Sequence, residues 1–426
     1  MPVDSTAKPL VYLGGGPGAG LGLAENNITH WLGWYLQNQL QQPLILMDYR
    51  GVGLSTPNFR CSPFLRDYQT SLTHPNELAP GKLFQTTQEC LAIWHQRGFS
   101  EEDFTVRQNA EDVVALLDQL QWQQADFYGV SYGTRVGQFL SEHFPERIGR
   151  IVLDSPVMAS KTGVNYFPQK VLAAVVNYQD YCAETGNCSF SEDSLFLVLQ
   201  ALSAEPLSIT FEQWHEPGLM TAELDDNLFL SVFYSGLYSP EGLTNYSWPK
   251  TAEAWSAEHL LQAVKKPLAG YINQAVDPEF NFFIYYANQC LENSAFDERL
   301  YSQPQRPARW QRYFAYRKDR DVCQMFKPPV YNNTELVADE LVLPPILILS
   351  GELDPITPMR DALQLVTRFP TGIVLSHPDI GHGVLAQLPC RAPLLQQFLA
   401  GQLASEGPLP CGLIRQPVKG ETAGVQ

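Results

Sequence analysis

Gly129-Val130-Ser131-Tyr132-Gly133 follows a short apolar run, Ala125 to Tyr128, and precedes a helix-like segment, Thr134 to His143. This is a G-x-S-x-G pattern at the corner between a strand and a helix. The two glycines allow a sharp turn. Ser131 is therefore expected in a strained backbone conformation, with its hydroxyl at the open end of a sheet. Such a pattern also arises by chance, so its meaning depends on whether the rest of the chain supplies what the serine needs.

Upstream, Thr105 and Gln108 make a capping-box pattern ahead of a helix predicted over Gln108 to Gln121. Val113, Val114, Leu116, Leu117 and Leu120 share one face of it. Leu10 to Leu13 and Pro43 to Met47 read as strands. The first ends in Gly14-Gly15-Gly16-Pro17-Gly18-Ala19-Gly20, five glycines in seven residues, a loop that exposes backbone N–H groups. No Lys-Ser/Thr follows, so the phosphate-binding pattern fails, and an oxyanion hole is its second use. The second strand enters Asp48-Tyr49-Arg50-Gly51-Val52-Gly53-Leu54-Ser55, read as a structural turn in which Arg50 satisfies nearby carbonyls.

Downstream, Ile148 to Leu153 is another strand. The alternation is then interrupted and resumes at Leu343 to Ser350, a strand entering Gly351-Glu352-Leu353-Asp354-Pro355. A helix over Met359 to Arg368, a short strand at Gly372 to Leu375 and a helix from Pro393 to Leu403 follow, with a disordered tail expected from Pro417. Alternating strands and helices predict an α/β fold with a mostly parallel central sheet flanked by helices. The core is assigned to 1–157 and 336–426. Residues 158–335 form a mostly helical cap, with helices near Gln169 to Cys182 and Asp226 to Leu237 and a dense aromatic run, Phe280 to Tyr286.

The composition of the 426 residues is that of a soluble globular protein, 45% hydrophobic and 17% charged. A formal charge of −17 argues against nucleic acid and anionic membrane as partners and is compatible with a cationic substrate such as a peptide with a free amino terminus. No apolar run approaches the ~18 residues a membrane helix requires. Met1 to Ser5 have neither the basic nor the apolar region of a signal peptide. Eight cysteines contain no C-x-x-C and have no histidine at zinc-finger spacing, so no metal cluster is expected. Their grouping suggests four bridges between sequence neighbours, although about 105 pairings are possible. Bridges imply an oxidising compartment, and hence an exported protein whose signal peptide is absent from this chain; without bridges a cytoplasmic protein is the alternative.

A serine hydroxyl is a weak nucleophile until a base takes its proton, and that base is usually a histidine oriented by a carboxylate. Asp354 follows a strong strand and His382 follows the next, both C-terminal to Ser131. That is the Ser, Asp, His order of an α/β-hydrolase. Of the eight histidines only His382 is flanked by glycines after a strand. His377 and Asp379 are the rivals, and Asp379 is too close to His382 in sequence to make a comfortable triad partner. The oxyanion donors are expected to be the backbone N–H of Tyr132 and that of Gly15 or Gly16. No metal or cofactor is required.

Six segments together resemble the proline iminopeptidase family of serine exopeptidases, in particular its branch related to secreted tripeptidyl aminopeptidases. They are G-G-G-P-G-A-G at 14–20, D-Y-R-G-V-G-L-S at 48–55, G-V-S-Y-G-T-R at 129–135, L-D-S-P at 153–156, G-E-L-D-P-I-T-P at 351–358 and G-H-G at 381–383. Gly14 stands where that family usually has histidine, and only about nine residues precede the strand that leads into the loop, where the family usually has further strands. The resemblance implies an α/β-hydrolase that releases N-terminal residues from peptides, proline for preference, through an acyl-enzyme on Ser131. It implies an acidic cap residue that binds the substrate ammonium, for which Glu292, two residues after Cys290, is the candidate. It further implies the pairs Cys61–Cys90, Cys182–Cys188, Cys290–Cys323 and Cys390–Cys411. The aromatic run at 280–286 would either line a proline pocket or form cap core. A tripeptidyl aminopeptidase, a carboxylesterase with the same triad and a non-catalytic binding protein are the alternatives. Neither the number of residues removed nor the oligomeric state is legible.

Overall fold

The computed structural model of the chain describes residues 7–23, 27–58, 60–158, 167–239, 247–277, 280–291, 308–315, 322–323, 325, 343–369, 372–403 and 409–417. Its centre is a seven-stranded sheet. In chain order the strands are β1 (Leu10–Leu13), β2 (Leu44–Leu46), β3 (Ala125–Val130), β4 (Ile148–Asp154), β7 (Ile346–Gly351), β8 (Ile373–His377) and β9 (Ile414–Arg415). The spatial order is β2-β1-β3-β4-β7-β8-β9, parallel throughout except for the antiparallel β8–β9 edge. Every residue of β7 is buried, as are Ala125 to Gly129 of β3, because helices cover both faces of a parallel sheet.

Side chains alternate between two cores. Val11, Leu13, Phe127, Ile151 and Ile348 pack on one face with Val113 and Leu117 of the helix Val106–Gln119 and Val136 and Leu140 of the helix Gly133–His143. Leu10, Tyr128, Val152, Leu347 and Leu375 pack on the other with Leu394, Leu395 and Phe398 of the helix Arg391–Leu399. Two helices, Ser62–Thr73 and Lys82–Gln96, follow β2 and are joined by Cys61–Cys90. The chain leaves β1 towards β2 on one side and β3 on the other, so the sheet reverses its winding between β1 and β3. The crevice beyond the C-terminal ends of strands at such a point is where open α/β sheets bind ligands. The glycine-rich loop leaves β1 there, and Ser131 leaves β3.

The predicted capping box at Thr105 is displaced. The helix begins at Val106, and Thr105 makes no side-chain cap. The reciprocal box is formed one turn earlier by Ser100 and Asp103, where the Asp103 carboxylate accepts the Ser100 N–H at 2.8 Å.

Between β4 and β7, the helices Phe167–Thr185, Glu192–Ala204, Asp226–Gly236 and Ala257–Ala275 share one hydrophobic cluster built on Val171, Leu199, Phe233, Leu260 and Ile272. This part of the chain also holds an antiparallel hairpin, β5 (Leu207–Glu212) with β6 (Leu219–Leu224), that the mostly helical reading did not foresee. Residues 282–290 behave differently. Phe282, Phe283, Ile284, Tyr286 and Cys290 belong to the core cluster, beside Phe64, Trp94 and Phe104.

All eight cysteines are paired: Cys61–Cys90, Cys182–Cys188, Cys290–Cys323 and Cys390–Cys411. On loop-closure entropy the three longer loops contribute about 3 to 4 kcal/mol each. No helix among the described residues is long and apolar enough to cross a membrane.

Candidate active site

Ser131 has φ of 53°, a left-handed conformation that L-residues other than Asn and Asp rarely hold. The neighbouring glycines make room for this turn. A Cβ on Gly133 would lie 2.0 Å from the Leu13 carbonyl oxygen, and one on Gly129 would lie 2.8 Å from that of Gly133. The Ser131 N–H donates to the Asp154 carbonyl at 2.9 Å, and its own carbonyl accepts the Thr134 hydroxyl at 2.5 Å. The serine is thus fixed to the end of β4 on one side and to its own helix on the other.

The glycine-rich loop runs directly beside it. A Cβ on Gly15 would lie 3.4 Å from Ser131 Cβ. Tyr132 stands at the N-terminus of the helix Gly133–His143, where helical N–H groups lack intrahelical partners and the dipole favours negative charge. Gly15 of the glycine-rich loop and Tyr132 at the helix start therefore both lie beside the serine. Asp48 ties the two glycine-bearing loops together, accepting Leu21 N–H at 2.6 Å and Leu54 N–H at 2.8 Å. Arg50 is structural: it donates to the Asp103 carbonyl at 2.9 Å and grips Asp112 with two bonds.

On the opposite side, Asp354 follows β7 and His382 follows β8. His382 Nδ1 lies 2.8 Å from Asp354 Oδ2, and Asp354 is 1% exposed. The other carboxylate oxygen accepts the N–H groups of Ile356 and Thr357, both at 2.8 Å. The Thr357 hydroxyl donates to Oδ2 at 2.5 Å and stands 3.3 Å from Nδ1. Burial pushes the Asp354 carboxyl up, yet the His382 charge and these hydrogen bonds outweigh it and hold the group below the usual carboxylate range. An ionised Asp354 accepting from Nδ1–H leaves Nε2 as the proton acceptor of the ring. His377 bonds instead to the Asp379 N–H, so neither rival joins the pair.

Two hydrogen bonds bring the halves together. Ser131 N–H meets Asp154 O, and Gly383 N–H meets Ser155 Oγ at 2.9 Å, so adjacent residues at the end of β4 hold the serine and the residue after His382. Among the described residues Ser131 Oγ makes no hydrogen bond, and such bonds often tighten only as substrate binds.

Two residues not singled out from sequence complete the histidine loop. Asp154 is fully buried and accepts Val384 N–H and Leu385 N–H, both at 2.8 Å, and the Tyr128 hydroxyl at 2.7 Å. Tyr238, at the end of the cap helix Asp226–Gly236, accepts the His382 N–H at 3.0 Å and sets its ring edge-on to the imidazole at 4.8 Å. A Cβ on Gly381 would lie 2.4 Å and 2.5 Å from the carbonyl oxygens of Leu237 and Tyr238. The hydroxyl of Tyr234 on the same helix donates to Pro355 O at 2.8 Å.

The helix Phe282–Leu291 ends just before Glu292, which lies outside the described residues. Phe282, Phe283 and Tyr286 are buried in the core cluster, where they also line a small cavity of about 10 Å³ with Phe64 and Val322. A cleft of about 360 Å³ opens beside the glycine-rich loop, lined in part by Leu21, His30, Asp277 and Phe280. No group of three His, Cys, Asp or Glu side chains among the described residues is arranged to hold a metal.

The sequence profile of a family described as alpha/beta hydrolase fold matches residues 8–387. Tripeptidyl aminopeptidases of Streptomyces lividans and Streptomyces coelicolor each align over 430 residues at 26% identity, covering 89% of this chain and 72% of theirs. Among solved structures, an alpha/beta hydrolase enzyme, MGS-M2, from a Medee basin deep-sea metagenome library superposes over 96% of this chain and 94% of its own, at 14% identity and a TM-score of 0.44.

Proposed function

Since this chain belongs to the alpha/beta hydrolase fold family, we propose that it is a serine exopeptidase acting on peptides with a free amino terminus through an acyl-enzyme on Ser131. The observation that carries this reading is the buried Asp354–His382 pair at the strand ends beside a strained, glycine-flanked serine. Ser131 Oγ attacks the scissile carbonyl while His382 takes its proton. The oxyanion is held by Tyr132 N–H and the Gly15–Gly16 loop, and His382 then protonates the departing amine. Water, deprotonated by the same histidine, releases the acyl group. Each oxyanion donor is worth about 3 kcal/mol of transition-state stabilisation.

The unit released distinguishes two readings. Removal of one residue, proline for preference, follows from the motifs shared with the iminopeptidase family. Removal of a tripeptide is favoured by the relatives aligned along 89% of the chain. In either case Glu292 is the proposed ammonium partner. Four disulfides suit an oxidising compartment, so we place the enzyme outside the cytoplasm.

A panel of prolyl, alanyl and tripeptidyl arylamides, each free and N-acetylated, tests the proposal. Free substrates are expected to be cut far faster than acetylated ones, and Ser131→Ala is expected to lower kcat by about 10⁶. Equal rates on free and blocked substrates would make the protein an esterase-like hydrolase instead. Failure of a fluorophosphonate to label Ser131 in folded protein would rule out acyl transfer altogether.

A further inference from the structure

The helix Phe282–Leu291 reads from sequence as a cap element, yet its buried polar groups are directed at the nucleophile side of the site. Asn281 precedes it and is 3% exposed. Its side-chain oxygen accepts Phe283 N–H at 3.1 Å, so it caps the helix. Its backbone N–H donates to Gly18 O at 2.7 Å and its Nδ2 to Gly51 O at 2.8 Å. Two turns along lies Asn288, also 3% exposed. Its Oδ1 accepts the Tyr132 hydroxyl at 2.6 Å, and its Nδ2 donates to Phe104 O at 2.9 Å and Ile284 O at 3.0 Å. Asn109 completes the phenol's environment by donating to it at 3.1 Å.

Seven residues apart, Asn281 and Asn288 lie on one face of the helix. The backbone N–H of Asn281 holds the loop that carries Gly15 and Gly16, its side chain holds Gly51 in the turn that Asp48 ties to that loop, and the Asn288 side chain holds Tyr132. Contact along that face is tight: a Cβ on Gly18 would lie 2.5 Å from Asn281 O, and one on Gly51 would lie 2.7 Å from Ile284 Cδ1. The Cys290–Cys323 bridge anchors the far end. We infer that Asn281 and Asn288 are positioning residues that set the two halves of the oxyanion hole in register, an inference resting on the proposed acyl transfer at Ser131.

The chemistry favours an amide at both positions. Each side chain accepts at least one hydrogen bond and donates at least one to a buried backbone carbonyl; an ionised aspartate cannot donate and leucine can do neither. Oxyanion donors act by preorganisation, and displacement by about 1 Å can cost about 100-fold in rate. A helix that merely closed the cleft over substrate would alter KM. One that aims the donors would alter kcat.

The test uses the full-length protein with Asn281→Ser, which keeps a helix cap but cannot reach Gly51 O, and with Asn288→Ala and Tyr132→Phe. Steady-state cleavage of a free-amine arylamide is measured with inhibition by a peptide aldehyde, whose adduct with Ser131 places an oxygen in the hole. Each variant is expected to lose about tenfold in kcat with KM within twofold, and to weaken the aldehyde by the same factor. Asn288→Ala combined with Tyr132→Phe is expected to cost less than the sum of the two, because both remove the Asn288–Tyr132 bond while each also loses a bond of its own. Folded variants with kcat and aldehyde affinity within twofold of the parent, or with the loss confined to KM, overturn the inference. Should Asn281→Ser fail to fold, the Asn288–Tyr132 cycle decides alone. A parent protein that neither cleaves nor reacts with fluorophosphonate overturns the acyl-transfer reading itself.

Discussion

Asp154 at the end of β4 and Asp354 beyond the end of β7 are both almost fully buried, and each accepts four hydrogen bonds. Their acidities diverge. Burial raises both, but Asp354 ends below the usual carboxylate range because the His382 charge and its own hydrogen bonds outweigh burial. Asp154 stays above that range: burial dominates, and two backbone N–H groups, a phenol and a more distant His382 only partly offset it. The same residue type, equally enclosed, thus takes two roles set by what faces it. A cation-capable partner makes Asp354 a stable anion that can orient a base, whereas neutral donors make Asp154 a clamp on the backbone of the histidine loop.

The sharpest way to break this contrast is to neutralise each in turn. Asp354→Asn leaves the shape but presents an amide to Nδ1, favouring the wrong tautomer, and is expected to lower kcat by about 10⁴ with little change in KM. Asp154→Asn keeps one acceptor but turns an NH₂ towards a backbone N–H. Leaving a buried group unpaired costs about 1 to 3 kcal/mol, so kcat should fall only about tenfold to 100-fold as the loop of His382 loosens. Equal losses in the two variants, measured on one arylamide, would make Asp154 part of the charge-bearing machinery. The smallest effect is on stability. With its folded pKa depressed, Asp354 contributes stability that is present above the unfolded value of about 3.9 and lost as pH falls through the folded value. With its folded pKa raised, Asp154 lowers stability as pH rises from about 3.9 through its folded value. Urea unfolding of the two asparagine variants between about pH 3 and 7, each compared with the parent, should therefore give differences that slope in opposite directions with pH. Slopes of the same sign would mean that the two carboxylates are electrostatically alike.

What sequence conveyed follows from the range of each signal. Ser131, Asp354 and His382 each sit just past an apolar strand, and strand periodicity is local, so the order of the three was readable. Asp154 sits in L-D-S-P, which also follows a strand, but the N–H groups it clamps belong to Val384 and Leu385, 230 and 231 residues away. Nothing near Asp154 in the chain announces them. Asn281 and Asn288 were hidden for a similar reason. The aromatic residues around them suit a pocket or a core equally, and only packing against Phe64, Trp94 and Phe104 decides for core. The capping box differs for another reason: Thr105 stands at the cap position without a side-chain bond, and the Ser100–Asp103 box belongs to the short 3-10 helix Glu101–Phe104 ahead of it.

Gly381 is where the chain just after the helix Asp226–Gly236 meets the loop of His382, with the Leu237 and Tyr238 carbonyls closing the space where a side chain would stand. That contact makes the loop of His382 sensitive to the backbone placed against it. A cap grafted from a relative would bring foreign backbone against the histidine loop and disturb the base before it altered any preference for substrate. A chimera that transplants the cap should carry its own G-H-G loop with it.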